Sequence, residues 1–313
     1  MITASDTNEP RGQSSRLRGV MALIRPHQWT KNLLVMLPSL LAHTLFHTGV
    51  WQDVALAFVS LSLCASAVYV LNDRMDYRAD RLHEQKRSRA FASGAVPLSW
   101  APWLIGVLVV AGLAIAWKCI PHAFVACLLF YLTITTCYTF WLKRLAILDV
   151  LVLGGLYSTR IIMGGLATET SVSVWLLAFS MFIFSSMAFG KRYSELWRLQ
   201  QIDAENKEPL RRRGYDSKDL SLVLNLGITT GLMAVLVLAL YIDSDSAKAN
   251  YIYPQALWGV CVVVFYWICN FWLNAHRGRM DEDVVKYVFL NWSSWGSAVI
   301  IAVCCAIAVW PSG

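Results

Sequence analysis

The chain has 313 residues, of which 57% are hydrophobic and only 15% charged, and it carries a formal net charge of +7. Soluble domains carry about 25% charged residues, so this composition excludes an ordinary water-soluble enzyme. A positive excess would suggest a nucleic-acid ligand in a soluble protein, but here it lies in loops between apolar segments. Topology and anionic lipid account for it there, and no nucleic-acid partner is expected.

Residues 1–24 read as a polar, disordered cytoplasmic arm, lacking the apolar stretch and cleavage site of a signal peptide. Nine long apolar runs follow: Leu33 to Val50, Val54 to Leu71, Leu98 to Trp117, Cys119 to Leu142, Leu145 to Thr168, Thr170 to Gly190, Leu220 to Ile242, Ile252 to Ala275 and Tyr287 to Trp310. Each is 18 to 24 residues long, and among the 47 charged residues only Asp149 and Arg160 fall inside one. A helix needs about 20 apolar residues to cross a bilayer, and barrel strands would alternate in polarity. The expected fold is therefore all-α, a polytopic bundle of nine transmembrane helices forming a single domain over residues 25–313.

Loops on one side of these runs hold 24 of the 27 Lys and Arg residues, against Lys118 and Lys248 on the other. Positive charge accumulates on the cytoplasmic side. The N-terminus is thus expected inside, the C-terminus outside, and the chain in the cytoplasmic (inner) membrane. The eight cysteines lie in or beside the runs without metal-ligand spacing, and they read as small packing residues.

Chemistry concentrates after the second run, in Asn72-Asp73-Arg74-Met75-Asp76-Tyr77-Arg78-Ala79-Asp80. If the helix continues past the membrane, Asp73, Asp76 and Asp80 share a face with Asn72 beside them. Clustered carboxylates of this kind suit Mg²⁺, which commonly bridges protein oxygens to substrate phosphates. Lys86, Arg87 and Arg89 follow at once, so metal-binding oxygens and anion-binding nitrogens converge as a diphosphate would require. The alternative is a solvated mixed-charge helix end that only enforces topology.

Asn72-Asp73-x-x-Asp76-x-x-x-Asp80-Arg81, with Lys86-Arg87-x-Arg89-x-x-Ala92-Ser93-Gly94 after it, resembles the first aspartate-rich motif of the UbiA superfamily of intramembrane prenyltransferases. The resemblance covers essentially the whole chain from Arg25 onward. One departure is Ala90, where relatives often have proline, which is expected to loosen the loop. Arg25-Pro26-His27-Gln28-Trp29-Thr30-Lys31-Asn32 is similar to the decaprenyl-phosphate phosphoribosyltransferase branch.

Aromatic prenyltransferases of the superfamily usually carry a second D-x-x-x-D at the end of the sixth span. Here Lys191 and Glu195 stand at that spacing, within Lys191-Arg192-Tyr193-Ser194-Glu195-Leu196. Two acidic motifs would hold two cations around one prenyl diphosphate. One acidic and one basic motif suit a metal-bound diphosphate donor together with a second anion, such as a polyprenyl phosphate. Lys191 and Arg192 otherwise read as ordinary positive flanks of a span.

Arg160 lies inside the fifth run, three residues after Tyr157, so both can face a cavity. It reads equally as a substrate group or as a structural partner for a carbonyl or another helix. Asp149, about 16 Å away along the helix, is too distant to pair with it directly. His27, His83, Arg211-Arg212-Arg213-Gly214-Tyr215 and the charged group Arg277, Arg279, Asp281, Glu282 and Asp283 are weaker candidates.

The resemblance implies transfer of 5-phosphoribose from phosphoribosyl diphosphate to a polyprenyl phosphate, with Mg²⁺ as cofactor. Asp73, Asp76 and Asp80 would hold the metal with Asn72. Lys86, Arg87 and Arg89 would clamp the diphosphate, and Lys31, Lys191 and Arg192 would neutralise a phosphate that Tyr157, Arg160 and Tyr193 orient. A separate phosphatase would perform the next step, and a homo-oligomer is compatible with the sequence. The alternatives are prenyl transfer to an aromatic acceptor and, last, an ion-coupled transporter, whose ionisable groups would lie at the midplane rather than at the membrane edge.

Overall fold

The computed structural model describes residues 11–82, 86–206, 214–280 and 284–309, and no strand occurs among them. In chain order the helices are α1 (Arg11–Ile24), a 3-10 helix (Pro26–Met36), α2 (Leu37–Leu41), α3 (Val50–Leu82), α4 (Ala101–Cys119), α5 (His122–Phe140), α6 (Leu148–Ala167), α7 (Val174–Asn206), α8 (Leu220–Asp243), α9 (Asp245–Asn250), α10 (Leu257–His276), α11 (Val284–Leu290) and α12 (Trp292–Val309). Eight of these, α3 to α8, α10 and α12, are long and apolar enough to cross a membrane. They match the last eight of the nine apolar runs.

The first run departs from expectation, because Leu33 to Val50 is not one α-helix. Pro38 has no N–H to donate to the carbonyl four residues back. Just ahead of it the Leu37 N–H bonds instead to Leu34, three residues back, which is the 3-10 pattern. His43, with φ of 58°, then ends the short α2. At about 2.0 Å per residue in the 3-10 part and 1.5 Å in the α part, Pro26–Leu41 reaches about 30 Å, the thickness of a bilayer core.

The arm also differs from expectation. Arg11–Ile24 is helical rather than disordered, while residues 1–10 lie outside the described residues. Val20, Leu23 and Ile24, at three- and four-residue spacing, pack with Ala67 and Val70 of α3 and with Phe91 and Val96. Burial of that stripe supplies what the polar composition of the arm does not.

By its contacts the chain forms two compact units, Met1–Thr136 with Met163–Thr170, and Cys137–Ile162 with Ser171–Gly313. In the first, α3 packs against α1, the 3-10 helix and α4. At 33 residues α3 is about 50 Å long, well beyond a bilayer core, so its acid-bearing end projects past the apolar region. The loop after it is not loosened by Ala90. That residue is buried, and its carbonyl accepts the Val96 N–H at 3.1 Å, closing the segment onto the core.

The 3-10 helix lies along α3. Side chains three apart eclipse in such a helix, so Trp29, Asn32 and Val35 share a face. Trp29 Nε1 donates to Ser66 Oγ at 3.0 Å and Asn32 Nδ2 to Ser62 Oγ at 2.9 Å, with Ser62 and Ser66 one turn apart on α3. Val35 meets Gly164, where a Cβ would stand 2.1 Å from the Val35 carbonyl oxygen. Gly164→Ala is therefore expected to force the two backbones apart and cost about 1–3 kcal/mol. A thermal unfolding midpoint in detergent equal to the wild type would contradict this packing.

In the second unit α7, α8 and α10 interlock through Trp272, whose Nε1 donates to Ser186 Oγ at 3.0 Å. Ser186 in turn donates to the Gly227 carbonyl at 2.7 Å. Like α3, α7 is 33 residues long, and its polar end from Lys191 onward extends past the apolar run.

Candidate active site

The end of α3 presents its acids unequally. Asp73 and Asp80 are seven residues apart and fall on one stripe, whereas Asp76 is rotated from it by about 60°. Asp73 and Asp80 are buried and Asp76 is half-buried beside them, as is Asn72. Arg89, placed by the short 3-10 turn Lys86–Ser88, joins the pair: its Nη1 lies 2.8 Å from Asp80 Oδ2 and 3.3 Å from Asp73 Oδ1. Lys86 is half-buried at the start of that turn and Arg87 is exposed.

A second guanidinium reaches the same carboxylate from a distant part of the chain. Arg25 Nη2 donates to Asp73 Oδ1 at 2.5 Å, and its guanidinium carbon stands 5.5 Å from the centre of the Tyr69 ring. Arg25 caps the 3-10 helix in the left-handed conformation, φ 53° and ψ 59°, which is uncommon for a residue other than glycine. In the sequence Arg25 opens the Arg25–Asn32 motif with no assigned role, and its position immediately before Pro26 is the one local signal of its special backbone.

Could this locus hold Mg²⁺? Both carboxylate oxygens touch one Arg89 nitrogen, so they stand no more than about 6 Å apart, and the guanidinium charges occupy the place of a cation. No group of three or more His, Cys, Asp or Glu side chains forms a metal cluster among the described residues. Mg²⁺ commonly takes only one or two carboxylates and completes its shell with water and substrate phosphate, so the Asp73 and Asp80 pair fits it. Asp76 and Asn72 stand at the edge of that pair rather than at its centre.

The second unit differs more from expectation. Arg192 is almost fully buried and its guanidinium is spent inside the protein. Its Nε donates to Asp149, its Nη1 to Glu195 at 2.7 Å and its Nη2 to the Tyr138 hydroxyl at 3.0 Å. Arg192 is thus corrected from a substrate clamp to a buried structural cation, because two carboxylates and a phenol satisfy it where α5, α6 and α7 meet. Glu195, the acid at the second-motif spacing, is engaged in the same cluster.

Asp149 also accepts from the Tyr215 hydroxyl at 2.9 Å, and that hydroxyl oxygen accepts the Ile147 N–H at 2.7 Å. Burial, reinforced by Asp149, holds the Tyr215 hydroxyl above its ordinary range, so it stays a donor at neutral pH. Gly214, at φ of 79°, lets the chain approach the Arg144 carbonyl, where a Cβ would stand 2.5 Å away. The residues before it, Arg211, Arg212 and Arg213, lie outside the described residues, as do His83, Asp281, Glu282 and Asp283.

Tyr193 is a further correction. It is buried in the core of the second unit, its ring edge-on to Trp272 and its hydroxyl 3.2 Å from His276 Nδ1, rather than set to orient a substrate. Lys191, one residue before the inward Arg192, is half-buried. Tyr157 and Arg160 do meet: the guanidinium lies 5.1 Å from the Tyr157 ring, which stacks on Phe184, and Nη1 donates to the Leu156 carbonyl at 2.6 Å. The carbonyl partner allowed for Arg160 is therefore present. In the first unit, Lys31 is half-buried on the 3-10 helix and His27 is exposed.

An all-helical, multi-span membrane fold with an aspartate pair at the end of one long helix defines the class: an integral membrane transferase. The UbiA prenyltransferase family model matches residues 33–295, and the chain belongs to that family. The nodulation protein NoeC of Azorhizobium caulinodans is 36% identical over 276 residues, covering 86% of each chain. The decaprenyl-phosphate phosphoribosyltransferase of Mycobacterium tuberculosis is 38% identical over 216 residues, covering 67% of this chain and 70% of its own.

An uncharacterized protein, y4nM, of Sinorhizobium fredii is 30% identical over 93% of this chain, which spans only 56% of that relative's length. Among solved structures, a UbiA homolog from Archaeoglobus fulgidus bound to DMAPP and Mg²⁺ shares the fold at a TM-score of 0.66 and 15% identity, covering 92% of this chain and 98% of its own.

Proposed function

We propose that this protein transfers 5-phosphoribose from phosphoribosyl diphosphate to a polyprenyl phosphate such as decaprenyl phosphate, releasing diphosphate. The observation that carries this reading is on α7. The second-motif position holds Lys191 in place of an acid, and the remaining acid, Glu195, is neutralised by Arg192. That leaves one acidic locus for a metal-bound donor and a basic position for an anionic acceptor. The similarity to the mycobacterial phosphoribosyltransferase supports it.

Asp73 and Asp80 would hold Mg²⁺, with Asp76 and Asn72 alongside, and the metal would supply charge stabilisation to the departing diphosphate. Lys86, Arg87 and Arg89 bind the donor diphosphate, and Lys31 neutralises the donor's 5-phosphate. Lys191 neutralises the acceptor phosphate, whose oxygen forms the bond to the anomeric carbon as the bond from that carbon to the diphosphate oxygen breaks. The acceptor is ionised at neutral pH, so no strong general base is needed. Tyr157 and Arg160 serve as positioning residues beside it.

The product retains its 5-phosphate, which a separate phosphatase removes. The donor is water-soluble, so in this reading the acid-bearing end of α3 faces the cytoplasm, with the N-terminus inside. The C-terminus lies outside if Pro26–Leu41 makes the first crossing of the inner membrane.

Purified protein with Mg²⁺, polyprenyl phosphate and ribose-labelled phosphoribosyl diphosphate is expected to move label into organic-extractable lipid. A parallel reaction with a prenyl diphosphate and 4-hydroxybenzoate is expected to give nothing. Product only in the parallel reaction would make this a prenyltransferase of the commoner kind and would overturn the reading of Lys191.

A further inference from the structure

We propose that Arg25 is the resident counter-cation of Asp73, holding that carboxylate until an incoming diphosphate takes over the guanidinium. The inference rests on the reading of Asp73 and Asp80 as the Mg²⁺ locus, and it concerns what occupies that locus before substrate arrives.

Asp73 Oδ1 accepts from Arg25 at 2.5 Å and lies 3.3 Å from Arg89, which also holds Asp80. Two guanidinium charges thus balance two carboxylates. Arg25 is held in place by the fold: it comes from 48 residues upstream, rests over the Tyr69 ring and is set by a left-handed backbone immediately before Pro26. Its side chain is 23% exposed while that of Asp73 is 5% exposed, so solutes reach the carboxylate past the arginine.

A divalent cation arriving alone must displace Arg25 from the oxygen that it would use. It would then leave four positive charges against the two carboxylates of Asp73 and Asp80, with Asp76 only at the edge of the pair, an unfavourable balance in a partly buried site. A diphosphate reverses this, because it ligates the metal and gives both guanidinium groups new oxygens in the bidentate geometry that they favour. Metal and diphosphate therefore bind cooperatively, and by linkage each raises the affinity of the other by the same factor. Arg25 is a positioning residue in this scheme: it keeps Asp73 oriented and makes metal uptake conditional on the donor.

The test is equilibrium dialysis of the full-length protein in detergent against Mn²⁺ as the probe metal, with and without inorganic diphosphate at equal activity on both sides. Diphosphate is expected to lower the wild-type Kd for Mn²⁺ by at least about tenfold. Arg25→Gln is expected to bind Mn²⁺ alone at least about tenfold more tightly than the wild type, with the coupling reduced to less than about threefold. Tyr69→Leu, which removes the ring beneath the guanidinium and leaves both carboxylates in place, should shift Mn²⁺ affinity in the same direction by about threefold. It carries the test if Arg25→Gln does not fold.

Mn²⁺ affinity and coupling unchanged in the folded variants would overturn the proposal while leaving the metal locus intact. Mn²⁺ bound by no form, with or without diphosphate, would overturn the metal reading and this inference together.

Discussion

Asp73→Asn is expected to lower turnover by about 10²–10³-fold, the loss typical of removing one preorganised group that stabilises transition-state charge. The amide keeps an oxygen for Arg25 but gives up the charge that would hold a metal against the departing diphosphate. The fold should survive, because the site lies at the projecting end of α3 and the apolar body of that helix is unchanged. The measurement is initial rate across an Mg²⁺ titration, beside Asp76→Asn and Asp80→Asn. Asp80→Asn should resemble Asp73→Asn, since Arg89 joins those two acids, and Asp76→Asn should be milder. Equal losses at all three positions would restore the uniform acid stripe, and full activity of Asp73→Asn would remove the locus from the mechanism.

Arg192→Met is expected to act on stability, by about 3–5 kcal/mol, the cost of stranding a buried charge by deleting its partner. Asp149 and Glu195 would both lose the Arg192 guanidinium, and Tyr138 would lose its donor. The readout is the thermal unfolding midpoint in detergent, where the variant should fall well below the wild type. Adding Asp149→Asn and Glu195→Gln removes the stranded charges, and should recover much of the loss, because neutral replacement of an entire buried cluster is tolerated better than its partial deletion. A variant as stable as the wild type but inactive would return Arg192 to the substrate-binding role that its position in the sequence suggests.

The corrections share a cause. Lys191-Arg192-Tyr193 reads as one basic and aromatic patch along the sequence, yet consecutive helical residues are about 100° apart and point to different surroundings. Arg192 turns to Asp149 and Glu195, Tyr193 turns to Trp272 and His276, and Lys191 is left half-buried between these directions. Likewise, the first apolar run has the length of a span but contains Pro38, and length alone does not reveal that its hydrogen bonds follow the 3-10 pattern. The polar arm has too little apolar surface to fold alone, and becomes α1 because α3 and the loop carrying Phe91 cover its stripe.

By itself the sequence determined what depends on local length and period: nine apolar runs, of which the last eight are helices long enough to cross a membrane, and the seven-residue spacing that sets Asp73 and Asp80 on one stripe of α3. It also carried the family resemblance, through a contiguous motif. Only the tertiary structure decided which charges meet, because Arg25 and Asp73 lie 48 residues apart and Arg192 and Asp149 lie 43 apart. Such pairings depend on how helices pack against one another, and in a low-dielectric interior each buried charge must find its partner wherever that packing places one.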